Sequence, residues 1–266
     1  MKNLEIYCVT NKALSFLNDT NYERAWVGQE NPPKNYLRCD NGDNIYFKEK
    51  NYSELTFHYW YWKNLLQEED SEWIGFCQRR RLWIQSRKDI EKIDGKNISS
   101  YILREPIEDW SNYESILCEP IKVSGAKKVK MIKRGWKNIL KNPKVLFDKN
   151  LETISFHFDM HHGYGNLSKA ISVMDEGDRI DFLNFVNTKN SFNPHIMFIA
   201  KKNLVKEWFD SLFPWLERCE KIFGFKNLKG YDTTRIYAYL AERYLSYWFQ
   251  KNTKYTYHPW KFMEKF

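Results

Sequence analysis

Two short stretches hold the residue types that could do chemistry. The first is "SEWIGFCQRRR", residues 71–81, where an apolar run from Trp73 to Cys77 ends in Gln78 and three successive arginines. A guanidinium is a planar fork of donors that binds phosphate oxygens bidentately, so arginines where a strand leaves a sheet suit a diphosphate. The same triplet could also be a solvated basic turn. The second stretch is "FHFDMHHGYG", residues 156–165. If it is extended, His157, Asp159 and His161 project to one side at period two and could ligate a metal such as zinc. No fourth ligand is evident, and the favoured reading is a strand or loop with ordinary hydrogen-bonding histidines. The acids of "MDEGDRID" read as the solvated face of a helix.

These residues need elements to position them. "LEIYCVT" (Leu4–Thr10) is an apolar, β-rich run and reads as a first strand. The Asn/Asp/Gly/Pro-rich stretch from Asn11 to Asn44 reads as mostly loop. Leu55, Tyr59, Trp62 and Leu66 recur at helical spacing, with Ser53 as a cap. "EWIGFC" follows as a second strand, and strand–helix–strand predicts a parallel α/β sheet. Ser111–Val123 reads as a further strand ending at Pro120. The basic segment has apolar residues at Val129, Ile132, Trp136 and Ile139, with lysines on its other face. "NPHIMFIAKK" reads as a strand leading into an amphipathic helix, "TTRIYAYLAERYLSYWFQK" as a last helix, and the tail "YTYHPWKFMEKF" as aromatic and basic.

Composition sets the outer limits. With 266 residues, 42% hydrophobic and 17% aromatic, the chain can bury a sizeable core and is not a disordered polymer. No apolar stretch is long enough for a membrane span, and the start turns polar too early for a signal peptide. Five scattered cysteines without a CxxC pair suit neither a disulfide framework nor zinc, which points to the cytoplasm. Between Lys122 and Lys144 stand nine basic residues and no acid, more than the net +8 of the whole chain. That concentration favours one local anionic partner, a membrane surface before RNA, and argues against a general nucleic-acid surface. GxGxxG, GxxxxGK[ST], GxSxG, HExxH and a strand-end DxD are all missing.

Taken together, the stretches resemble a bacterial glycosyltransferase family of capsule and O-antigen clusters, catalogued as domain of unknown function 4422. Gly42-Asp43-Asn44-Ile45, Glu54-Leu55-Thr56, Tyr59-Trp60, Trp62-Lys63-Asn64 and Arg80-Arg81 match its pattern, followed by "MHHGYGNL", "MFIAKK" and "RIYAYLAERYL". Gln78-Arg79, Asn166, Ile196 and Asn11 depart from it. The resemblance implies an α/β, GT-A-like fold: a Rossmann-type, mostly parallel sheet flanked by helices, with a helical C-terminal part. It implies one domain over residues 1–266 with a basic insertion at about 122–150.

The implied activity is inverting transfer of a hexose, galactofuranose or galactopyranose favoured, from a UDP-sugar to a capsular or O-antigen type glycan, free or lipid-linked. Thr10, Lys12, Asp43, Asn44, Arg80 and Arg81 would bind the donor. Asp159, His162 or Glu54 would be the base, and His161, Glu242 and Arg243 would meet the acceptor. Glu242 and Arg243 equally read as an ion pair stapling the last helix. No metal ligand is assigned and no cofactor is firmly implied, although Mn or Mg could assist. The inner-membrane surface would be met through Lys127–Lys144, and nucleic acid is not an expected partner. The rivals are a non-catalytic family member binding an anionic glycan or membrane, and a metal-dependent hydrolase using His157, Asp159 and His161.

Overall fold

The structure is a computed structural model that describes residues 3–88, 90–124 and 128–264. In chain order its strands are β1 (Leu4–Thr10), β2 (Glu23–Trp26), β3 (Leu37–Arg38), β4 (Trp73–Gln78), β5 (Arg81–Trp83), β6 (Ser115–Leu117), β7 (Ile121–Lys122), β8 (Ser191–Phe192), β9 (Phe198–Lys201), β10 (Tyr255–Tyr257) and β11 (Trp260–Phe262). Its helices are α1 (Glu49–Tyr52), α2 (Leu55–Asn64), α3 (Lys128–Lys141), α4 (Ile154–His162), α5 (Asn166–Ile171), α6 (Glu176–Thr188), α7 (Lys202–Phe223), α8 (Tyr231–Thr234) and α9 (Ile236–Asn252). The residues gather into two compact units. Unit 1 comprises Met1–Glu119, His195–Asp210 and Phe249–Phe266, and unit 2 comprises Pro120–Pro194 and Ser211–Trp248.

Unit 1 is built on a sheet of order β10-β6-β9-β4-β1-β2-β3, with β5 and β11 continuing from β4. Strands β1, β2, β3, β4, β6 and β10 run one way, and β9 runs against its neighbours β4 and β6. The centre is fully buried: every residue of β1 and β4 is inside, as continuous apolar runs covered on both faces must be. Gly75 lets the middle of the sheet close up. A Cβ there would stand 2.9 Å from Ile199 Cγ1 and 3.0 Å from Ile6 Cγ1. Tyr7, Phe57, Tyr61, Phe76, Phe198 and Phe209 form the aromatic layer beside it.

Three sequence expectations for unit 1 are revised. The helix at Leu55–Asn64 forms, and Leu55 and Leu66 of the expected stripe are buried, but Phe57, His58, Trp60 and Tyr61 are buried as well, while Tyr59 and Trp62 are partly exposed. Nearly every position in it is apolar or aromatic, so periodicity alone does not select a face. Ser53 does not cap this helix. It ends α1 with φ +51°, and its buried hydroxyl has no hydrogen-bond partner. The strand expected over Ser111–Val123 breaks into β6 and, beyond Pro120, β7, which pairs with β8.

Unit 2 is helical apart from β7 and β8. Its core holds Phe182, Trp215, Tyr244 and Tyr247. "MDEGDRID" lies at the start of α6 as expected, with one exception to its solvation. Asp178 accepts hydrogen bonds from Tyr244 (2.6 Å) and Tyr247 (3.2 Å). The basic segment supplies α3, and Lys127 lies outside the described residues.

Candidate active site

The register of the central sheet decides what meets at its carboxyl edge. Val9 pairs with Gln78 and Thr10 with Trp26, so β1, β2 and β4 end side by side, and β3 joins through Arg38 opposite Trp26. Four of the predicted donor residues are carried by the first and last of those exits. The Thr10 hydroxyl donates to the Lys12 carbonyl at 2.6 Å and accepts the Lys12 amide at 3.0 Å, turning the chain immediately after β1. Beside it the Arg79 amide donates to the Val9 carbonyl at 3.0 Å, and Arg79 Nη1 donates to Asn11 Oδ1 at 3.3 Å.

The two following arginines are oriented by the rest of unit 1. Arg80 Nε donates to the Met263 carbonyl (3.0 Å) and Nη2 to the Glu264 carbonyl (3.2 Å), while the Met263 amide returns a bond to Arg80 O (2.8 Å). Arg81 Nε donates to His195 Nε2 (2.9 Å) and Nη1 to Gln78 Oε1 (3.0 Å). Both guanidinium groups lie over the Phe262 ring, at 4.6 and 5.2 Å. His195 adopts φ +67°, a backbone outlier beside the arginines, and its ring meets Trp260 edge-on. His195, Phe262 and Met263 were missed by the sequence reading. Nothing local marks them, because β11 is brought to the arginines only by pairing with β5.

Asp43 and Asn44 belong to a clasp that joins the loop after β3 to α2. Asn64 Oδ1 accepts the Asp43 amide (3.1 Å), and Asn64 Nδ2 donates to the carbonyls of Asp43 and Trp60 (2.8 Å each). Trp60 Nε1 donates to Asn41 Oδ1 (2.8 Å), and the Tyr59 hydroxyl donates to Asp43 Oδ1 (3.1 Å). Asn44 Oδ1 accepts the Tyr46 amide, closing a local turn. Gly42 makes the clasp possible. Its φ is +58°, and a Cβ would stand 2.2 Å from Asn64 Oδ1. Three of the quoted sequence blocks, those of Asp43, of Tyr59-Trp60 and of Asn64, are therefore one structural device. Glu54 stands at the start of α2, where its carbonyl accepts the Phe57 and His58 amides.

In unit 2 the histidine segment is α-helical, which corrects the extended geometry that would have aligned His157, Asp159 and His161. On a helix, residues four apart share a face and those two apart do not. The His157 and His161 rings accordingly lie 4.5 Å apart, tilted by 35°, while Asp159 accepts Asn138 Nδ2 (2.9 Å) and the Gly165 amide (3.0 Å). Burial raises the Asp159 pKa against these two bonds and nearby Lys141. Asp159 and His161 line a cavity of about 380 Å³ with Arg134, Tyr164, Tyr231 and Asp232. Asn138 lies in the basic segment, where no sequence signal connects it to Asp159.

His162 is buried behind that cavity. Its Nδ1 is 2.8 Å from the Asp232 carbonyl, its ring stacks on Tyr239 at 3.9 Å, and burial holds its pKa down to about 3. Arg243, expected to touch an acceptor, is instead 2% exposed. It is paired with Glu242, lies 3.9 Å over Phe192, and is 3.5 Å from His157 Nδ1. Burial lowers its pKa, and the Glu242 carboxylate opposes that fall. Of the two sequence readings for Glu242 and Arg243, this geometry is that of the ion pair.

Among the described residues, no three His, Cys, Asp or Glu side chains gather as a metal-ligand set. At the carboxyl edge Asp40 is bound to Arg38, and the Asp43 carboxylate accepts from Tyr59. All five cysteines are buried, and none is in a disulfide. No helix among the described residues is long and apolar enough to cross a membrane.

The sheet and its flanking helices define a GT-A-like, mixed α/β fold. Over 99% of its length the chain superposes on the apo structure of the WbbM bifunctional glycosyltransferase, with a TM-score of 0.70 and 18% identity. It covers 46% of that protein, less than half its length. The mannosyltransferase Ktr4p from S. cerevisiae aligns with a TM-score of only 0.26 and 8% identity, over 84% of this chain and 62% of that one. No curated protein matches the sequence. The chain belongs to the family defined by the domain of unknown function DUF4422, which matches residues 5–253.

Proposed function

We propose that this chain is a glycosyltransferase that moves a hexose, galactofuranose or galactopyranose, from a UDP-sugar to a capsular or O-antigen type glycan on a lipid carrier, in the cytoplasm. The observation that carries the reading is the arginine corner where β4 leaves a GT-A-like sheet. There Arg80 and Arg81 are already held by Met263, Gln78 and His195. Groups oriented before the substrate arrives need not reorganise as charge develops, which makes them effective at stabilising a leaving diphosphate. Lys12, carried on the Thr10 turn, adds a further cation. Asp43 and Asn44, fixed by the clasp to α2, serve the rest of the nucleotide.

In the proposed reaction an acceptor hydroxyl attacks the anomeric carbon and the bond to the diphosphate breaks. The hydroxyl proton passes to a carboxylate, and UDP leaves with its charge met by the arginines. Within unit 2, Asp159 has the properties such a base needs: burial raises its pKa and two hydrogen bonds fix its orientation. His162 is a much weaker base, since its pKa is held near 3. The arginines take the place of a divalent ion in this scheme.

UDP release from a panel of UDP-sugars, measured with and without EDTA, tests the proposal. Hydrolysis of one donor that persists in EDTA and disappears in Arg81→Ala is the expected result. Activity lost in EDTA and restored by manganese would keep the enzyme and overturn the role given to the arginines. Silence with every donor, together with no UDP binding by calorimetry, would overturn the enzyme reading in favour of a binding protein.

A further inference from the structure

Helix α3 carries two apolar faces where a surface helix needs one. The first packs inward. Met131 is buried, and Gly135 lies so close to α4 that a Cβ would stand 3.0 Å from Met160 Cγ and 3.2 Å from Phe156 Cζ. The second face is formed by Val129, Ile132, Trp136 and Leu140, which are 77, 56, 52 and 72% exposed. At about 100° per residue these four positions fall within roughly 80° of arc, rotated away from Met131 and Gly135. Phe147, just beyond the helix, is 82% exposed and lies beneath the Lys128 ammonium at 5.2 Å. Scattered exposed apolar residues are ordinary on a protein surface; an aligned row of large ones is not.

The charged side chains of α3 itself have one sign. Lys133, Lys137 and Lys141 follow one another along its flank, and Lys128 stands on the other side. Lys137 lies 5.6 Å over the Trp136 ring and 5.3 Å over Tyr164, and Lys141 lies 5.2 Å over Tyr164. The sequence places no acid between Lys122 and Lys144. A two-fold contact with a second copy would press this basic face against itself, which like charges oppose. A partner that is apolar inside and negative at its surface fits both features at once.

We propose that α3 docks the protein flat on an anionic lipid bilayer, with Val129, Ile132, Trp136, Leu140 and Phe147 entering the headgroup boundary and the lysines meeting lipid phosphates. The inference does not depend on the donor or on the reaction, so it stands or falls apart from the transferase reading.

Co-sedimentation of the full chain with vesicles of neutral phosphatidylcholine, and with vesicles containing roughly a third phosphatidylglycerol, tests it. Binding to the anionic vesicles alone, weakening as salt is raised, is expected. Trp136→Ser with Leu140→Ser should lower partitioning at least about tenfold, and each of Lys133→Gln and Lys137→Gln about fivefold. These side chains face solvent, so an unchanged circular dichroism spectrum should accompany each loss. Equal binding to neutral vesicles, binding that survives all four substitutions, or no binding to either vesicle would overturn the proposal. So would a dimer in sedimentation velocity that Trp136→Ser dissociates, which would assign the face to a second copy.

Discussion

The arginine corner of unit 1 and the buried arginine of unit 2 hold the same functional group in opposite ways. At the corner, Arg80 is held by two backbone carbonyls, and the bonds of Arg81 include a side-chain amide and an imidazole, which fix the direction of each guanidinium. In unit 2 Arg243 is sealed from solvent and its charge is met by Glu242. The first arrangement fixes a partly exposed guanidinium by its direction, and the second meets a buried one with an opposite charge. Arginine content alone therefore says little about binding; the sign of the partners says more.

The comparison can be broken most forcefully at Arg243. Arg243→Ala leaves Glu242 without its buried partner and should destabilise the protein by about 3–5 kcal/mol. Urea denaturation reads this directly. A loss below about 1 kcal/mol would mean that the pair is not structural. At the corner the effect should fall on ligand rather than fold. Arg81→Ala should weaken calorimetric UDP binding about 10–100-fold, the scale of one hydrogen bond to a charged group. Unchanged binding would place the donor elsewhere.

A third change sharpens the contrast by disturbing only the scaffold. Gly42→Ala forces a Cβ into the Asn64 amide at φ +58° and should cost about 1–3 kcal/mol in a thermal melt. If the melting temperature does not move, the clasp is not as tight as its distances imply.

The effect spread most thinly, being taken up one pH unit at a time, is a pH slope. His58 is buried among Phe76, Phe209 and Phe198, its Nδ1 has no partner, and burial lowers its pKa to about 3. The unfolded chain, with an ordinary histidine pKa near 6.5, then binds more protons than the fold between these values. Stability should fall as pH drops from about 6.5, by up to about 1.4 kcal/mol per unit for this one group. His58→Phe should flatten that part of the curve, and an unaltered slope would assign it to other groups.

What the sequence could reveal follows from how each feature is encoded. β1, β4 and β9 are legible because a strand buried on both faces must be a continuous apolar run. The GDN loop and the Trp-rich helix are legible as motifs, though not as one clasp, since the bonds of Asn64 leave no periodic trace. α4 was misread for a physical reason. Phe156 and Met160 pack toward α3, whereas Phe158 and His162 pack on the side of Tyr239 and Arg243. Two i,i+4 pairs interleaved by two residues bury every second position, and that imitates the alternation of a half-buried strand. α3 was assigned a single stripe that mixed its two faces: Val129, Ile132 and Trp136 belong to the exposed row, while Ile139 packs against the buried cluster.

The bond from Arg80 to Met263 closes a sequence separation of 183 residues. Contacts this remote form late in folding, because the loop-closure entropy must be overcome before they are rewarded. During synthesis β1, α2 and β4 can assemble long before residues 260–264 have been made. The nascent protein would thus own the β1–β4 part of its sheet while the arginine corner is still unset, and the direction of Arg80 would be fixed only once residues 263–264 have joined it.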